Sequence, residues 1–316
     1  MPTSTPARLC RTLALAAAAL LALAEGPVLR AGGKLNVVAT TTDLAALATE
    51  VGGEKVAVTA IARGYQDPHF VEAKPSFLLN LRKADLVLAV GLELEVGWLP
   101  PLLNQCGNPK VQPSAPGYFD ASRSAEILEI PSGPVSRAQG DVHPLGNPHY
   151  WLDPRNGARI AEALARRLSE MDPGDAAYFQ GRLADFRRRL EAAEKRWDEA
   201  LKPYRGRKVV TYHRSWPNFT HRFGLQVADY VEPRPGIPPS PGHLVQLMGM
   251  MKREGIKVIL VEPYFDLKTP QSVARETGAQ VVVLMPSVGG NAETGDYLKL
   301  FDYDVDQLVK AFKAGH

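Results

Sequence analysis

Cysteine is almost missing from this chain: Cys10 and Cys106 are the only two in 316 residues. That excludes a disulfide-stapled scaffold and any cysteine-rich zinc or iron–sulfur centre. Long apolar runs are missing too. The Leu- and Ala-rich stretch 13–24 falls short of the roughly 20 residues that span a bilayer, and no later stretch reaches 18. Nor does one sign of charge dominate. With 37 basic and 34 acidic residues the formal net charge is +3, so the chain is not a polybasic nucleic-acid binder as a whole. Compact metal or nucleophile signatures such as HExxH and CxxC do not occur. What remains is an ordinary globular composition, 45% hydrophobic and 22% charged, long enough for about two domains.

The first segment reads as an address. Arg8 and Arg11 precede the short apolar stretch, small residues follow it, and no acid occurs before Glu25. This is the pattern of a secretory signal peptide over residues 1–31, with cleavage near 24 or 31. Cys10 lies ahead of the apolar stretch rather than after it, which argues against a lipoprotein anchor.

Beyond it, apolar strands alternate with amphipathic helices. KLNVVAT (34–40), KVAVTAI (55–61) and DLVLAVG (85–91) read as strands, with helices at 42–53 and 75–84. Residues 107–148, rich in Pro, Gly and Ser, read as loop with short strands. Two helical stretches follow, 154–171 and 174–202. In the second, Leu183, Phe186, Leu190, Ala193, Trp197 and Leu201 recur every three or four residues on one face. The alternation then restarts, with strands at 208–212, 225–231, 256–262 and 279–285 and helices at 216–224, 243–255, 269–278 and 295–313. The expectation is an α/β protein with two doubly wound lobes, near 33–153 and 204–316, joined through a helical segment at 154–203.

In such sheets ligands bind beyond the carboxyl ends of the strands. Four polar residues fall there: His69 in GYQDPHF, His149 in GNPHYWLDP, His213 at the end of KVVTYH and Glu262 at the end of IKVILVE. Three imidazoles and a carboxylate make a full set for a borderline cation such as zinc. The prolines of DPH and NPH stiffen the two loops. Each residue also has a plainer reading: a hydrogen-bonded histidine at a strand end, or a carboxylate capping the next helix. Of the remaining histidines, His143 reads as a solvated loop residue ahead of one that delivers metal, His221 as a surface or packing residue, His243 as facing solvent or the cleft rim and His316 as a fraying terminus. Trp98, Trp151 and Trp216 read as core.

DPHF, NPHYWLDP before a helix, KVVTYHRSWPNFTHRFGL, EPRPGIPPSP and the final GDYLKLFDYDVDQLV together resemble the metal-binding periplasmic proteins of zinc and manganese ABC importers, from Lys34 onward. The resemblance implies two lobes bridged by one long rigid helix, a metal buried in the interlobe cleft, and His69, His149 and His213 as ligands. A histidine at 213 resembles zinc members, so Zn2+ is expected ahead of Mn2+. It further implies a periplasmic monomer, soluble once its signal is removed, whose partners are the transmembrane subunits of an ABC permease. Where many members carry a ligating aspartate, this chain reads MPSVGG (285–290). Glu262 is therefore the candidate fourth ligand, with water as its competitor. The long His/Asp-rich loop of some zinc members is reduced here to Asp141 and His143. The contrasting function is an exported zinc hydrolase using three histidines and a metal-bound water. A binder of an organic iron chelate would instead need a wide aromatic or arginine-lined cleft.

Overall fold

The computed structural model describes residues 33–136, 139–140 and 142–315, and the expected signal peptide lies outside them. The first lobe runs β1 (Leu35–Ala39), α1 (Thr42–Gly52), β2 (Val56–Ala60), α2 (Pro75–Lys83), β3 (Leu86–Ala89), α3 (Leu99–Gln105) and β4 (Tyr118–Asp120). Two helices follow, α4 (Pro154–Met171) and α5 (Ala176–Leu201). The second lobe runs β5 (Lys208–Thr211), α6 (Pro217–Phe223), β6 (Gln226–Tyr230), α7 (Pro241–Glu254), β7 (Val258–Val261), α8 (Lys268–Thr277), β8 (Gln280–Val283) and α9 (Tyr297–Ala314).

All strand pairs are parallel, and the sheets share one topology: β2-β1-β3-β4 and β6-β5-β7-β8. The central strands β3 (LVLA) and β7 (VILV) are buried along their whole length. This is what parallel strands covered on both faces require. In each sheet the strand order reverses beside the first strand, β1 or β5, so the crevice falls beyond those carboxyl ends.

Helix α4 starts at Asp153, whose side chain accepts from the Arg155 N–H at 2.9 Å, with Pro154 in the first turn. A capping acid and a proline at this position are both favourable. Helix α5 has 26 residues, about 39 Å at 1.5 Å per residue. Its buried stripe is Phe179, Leu183, Phe186, Leu190, Ala193, Trp197 and Leu201. Near its start, Arg182 Nε donates to the Glu50 carbonyl of α1 at 2.9 Å. Toward its end, Trp197 lies 5.2 Å from the ring of Phe301 in α9 and donates to Asp302 at 2.7 Å. One apolar core therefore runs from Leu44 and Leu47 through α5 to Phe301 and Leu308, linking both lobes. Each lobe has in addition a core of its own, around Val87 and Leu102 in the first and around Ile259 and Met251 in the second.

Loop 285–290 closes the remaining gap between the lobes. The Val288 N–H donates to Asp43 at the start of α1 at 2.9 Å, and the Trp151 indole donates to the Pro286 carbonyl at 2.8 Å. Gly64 lies so near this loop that a Cβ there would sit 2.1 Å from the Val288 oxygen. Only glycine fits that approach.

Candidate metal centre

His69 sits in the loop after β2, His149 just before α4, and His213 two residues after β5. The structure brings these three together: one ring nitrogen from each lies within 4.8 Å of the others. Ring centroids are 5.2 Å apart for His69 and His149, 5.6 Å for His69 and His213, and 5.7 Å for His149 and His213.

Each ring is oriented through Nδ1. The Asp67 carboxylate accepts from the His69 backbone N–H at 2.9 Å and lies 2.7 Å from its Nδ1. The Asn147 amide oxygen does the same for His149, at 2.9 and 3.1 Å. These are one turn used twice: an oxygen two residues upstream grips backbone and ring together across a proline. For His213 the partner is Glu232, 3.1 Å from Nδ1, whose other oxygen accepts from the Gly236 N–H at 2.6 Å. An acceptor at each Nδ1 favours the proton on that nitrogen, which leaves Nε2 as the atom able to offer a lone pair. His149 Nε2 is buried without a hydrogen-bond partner. The His69 loop is pinned by Trp98, whose indole donates to the Pro68 carbonyl at 2.9 Å. Trp98, Trp151 and Trp216 are all buried, as expected.

The electrostatics differ from ring to ring. Burial, with the neighbouring histidines, pushes the pKa of His149 well below its ordinary value, so this ring is neutral. Burial also opposes charge on His213, but the Glu232 hydrogen bond and the charges of Glu262, Glu232 and Asp67 outweigh it and raise its pKa. For Asp67 burial works upward, and the bonds and charge of His69 bring the carboxyl below its ordinary value.

Glu262 stands outside the nitrogen triplet. It is fully buried, neither carboxylate oxygen has a partner of good hydrogen-bond geometry, and burial lifts its pKa to about 7 against the pull of His213 and of the nearby Ser215 hydroxyl. A buried carboxylate in that condition calls for a proton or a cation.

His143 departs from the expectation of a solvated loop residue. It is half-buried, with Nδ1 3.0 Å from the Leu92 carbonyl and Nε2 3.2 Å from His69 Nε2. Burial, reinforced by His69, lowers its pKa to about 4. The physical reason is that its loop folds back on Leu92, in a segment where Gly91, Leu92 and Glu93 all have positive φ. His221 is exposed, and His243 bonds the Tyr230 carbonyl at 2.8 Å beside the cleft.

A two-lobed parallel α/β protein with imidazoles from both lobes converging at the crevice is the architecture of a metal-specific substrate-binding protein of ABC transporters. The comparisons agree. The profile described as ZnuA, zinc-uptake complex component A, periplasmic, matches residues 37–311, and the chain belongs to that family. It is 25% identical over 299 residues to the metal ABC transporter substrate-binding lipoprotein FimA of Streptococcus parasanguinis, covering 92% of this chain and 93% of that protein. It is 24% identical to the manganese ABC transporter substrate-binding lipoprotein PsaA of Streptococcus anginosus, covering 94% and 96%. Among solved structures, ZnuA superposes with a TM-score of 0.72 at 24% identity, over 88% of this chain and 99% of the other. The Mn-bound periplasmic metal-binding protein of Candidatus Liberibacter asiaticus superposes with a TM-score of 0.72 at 18% identity, with the same coverage. The chain is thus a solute-binding protein and not an enzyme, and the hydrolase alternative finds no support. No described helix is long and apolar enough to cross a membrane.

Proposed function

We propose that this protein captures a divalent transition metal in the periplasm, zinc ahead of manganese, and passes it to an ABC permease. The observation that carries the reading is the convergence of His69, His149 and His213 within 4.8 Å, each with its Nδ1 engaged by an oxygen. Three lone-pair nitrogens suit zinc; manganese favours oxygen-rich sites. The manganese in the name of PsaA belongs to that relative. For the fourth corner we propose Glu262, whose two buried oxygens lie within electrostatic reach of His213. A metal closed in by four side chains has no position for a reacting substrate, as befits carriage rather than catalysis.

The test is zinc and manganese titration of the metal-free protein and of single alanine variants. His69→Ala, His149→Ala and His213→Ala should each weaken zinc by at least roughly 100-fold, given that even outer partners of a ligand are worth about 10–100-fold. Glu262→Ala should weaken it as well; an unchanged affinity assigns the fourth corner to water or to His143. Manganese bound as tightly as zinc would refute the zinc assignment. Zinc affinity should also fall on acidification, because protons compete for the nitrogens.

A further inference from the structure

The two Asx-Pro-His turns differ in one respect. At Asp67 the residue that grips the histidine is a carboxylate with nothing to donate. At Asn147 it is an amide, and its Nδ2 donates twice: to Glu129 Oε2 at 2.9 Å and, across the cleft, to the carbonyl of Arg214 at 2.8 Å. Arg214 directly follows His213. Asn147 is 6% exposed, and both ends of its amide are satisfied. A second contact closes the cleft beside it. The Tyr230 hydroxyl donates to Glu129 Oε1 at 3.3 Å, and the Arg214 guanidinium lies 4.5 Å over the Tyr230 ring and 3.8 Å from the same oxygen. Glu129 holds a φ of 53°, a left-handed conformation unusual for its residue type. Glu129, Asn147, Arg214, His149 and His213 all line one small cleft.

We propose that Asn147 is a positioning residue that ties the orientation of His149 to the closure of the two lobes, so that separating them loosens a ligand and releases the ion. The inference rests on the site being a metal site. The Arg214 contact exists only when the lobes are together, so it contributes to one state and not the other. With the lobes closed, the amide is held from both ends and the His149 ring stays in register. With the lobes apart, the donor end loses its partner and the acceptor end no longer holds the ring in a fixed direction.

The experiment compares zinc release into excess chelator by stopped flow for the wild type, N147D, N147D/E129Q and Y230F. N147D keeps an oxygen for His149 but has no hydrogen to give Arg214. Its release should be about tenfold faster, within the usual range of coupling between linked sites. The number of imidazole ligands seen by X-ray absorption should not change. E129Q removes the carboxylate that faces the introduced acid yet restores no bond to Arg214, so the double variant should stay fast. Y230F loosens the same closure from the second lobe without touching the His149 turn, and should speed release in the same direction. Wild-type release rates in N147D and Y230F, or full restoration by E129Q, would overturn the inference alone. A wild type that takes up no zinc would overturn it together with the proposed function.

Discussion

An imidazole becomes a directed metal ligand only when something holds its other nitrogen. Here three different oxygens do so: the carboxylates of Asp67 and Glu232 and the amide of Asn147. Their contributions are separable by substitution. Asp67→Asn preserves an acceptor in the arrangement Asn147 already uses, so zinc affinity should change by less than roughly tenfold. Asp67→Ala and Glu232→Ala remove the acceptor and should cost about 10–100-fold. Isothermal titration would distinguish them; equal losses for Asp67→Asn and Asp67→Ala would mean that charge, not orientation, is what Asp67 supplies. The histidines themselves were legible because strand ends and prolines mark them locally. Their orienting partners Asp67 and Asn147 were not read from the sequence, although the repeated Asx-Pro-His pattern held the signal: the prolines were read there and the residue before each was not. Glu232 carried none, and His143 was read as a loop residue without its place beside His69. Glu232 meets a ring 19 residues away through the turn after β6, and His143 meets a carbonyl 51 residues away.

At the level of elements, loop 285–290 explains how this chain dispenses with an acid there. Its backbone is already committed: Leu284 N–H to Val261, Met285 N–H to the buried Asp304, Val288 N–H to Asp43, and the Pro286 carbonyl to Trp151. The segment serves as a strap between the lobes. Burial lifts the Asp43 carboxyl to about 7, and its second oxygen has no partner. The native state therefore holds a proton that the unfolded chain releases between the ordinary value of 3.8 and about 7, and stability falls as pH rises through that window. Asp43→Asn keeps an acceptor for Val288 and removes the charge. Relative to the wild type it should gain about 2–3 kcal/mol between pH 5 and pH 8, at 1.36 kcal/mol per unit. Urea unfolding of the metal-free protein at the two pH values measures this, and parallel pH profiles would show that Asp43 is already ionised in the native state across this window, as it is in the unfolded chain. The elements were mostly legible because parallel strands and amphipathic helices carry strong periods. Helix α3 was not, since LPPLLNQ is short and opens on two prolines, which a first helical turn tolerates but a pattern reading takes as a break.

For the whole molecule the decisive fact is that the three converging histidines are divided between two lobes whose sheets have identical order, while the main apolar core is not divided at all. His69 and His149 belong to the first lobe and His213 to the second, yet Leu44, Phe186, Trp197 and Phe301 form one core along α5. Wide opening would expose that core, at about 25 cal/mol per Å² of apolar surface, whereas a small rocking would leave it packed and strain the polar contacts at the cleft between Asn147, Glu129, Arg214 and Tyr230. The long helix was legible from its apolar stripe. The shared core was not, because it depends on α1, α4 and α9 meeting α5 in space. Metal binding should then stabilise the molecule as one unit. A ligand that binds only the native state adds RT ln(1 + [L]/Kd), about 2.7 kcal/mol at 100 times Kd. Calorimetry of the wild type should show the melting temperature rising with free zinc and returning to the metal-free value with chelator. The same shift should vanish in His213→Ala, although that variant leaves two imidazoles in the first lobe. A shift that survives His213→Ala would place the ion in one lobe alone, and the crevice would lose its role as the site of capture.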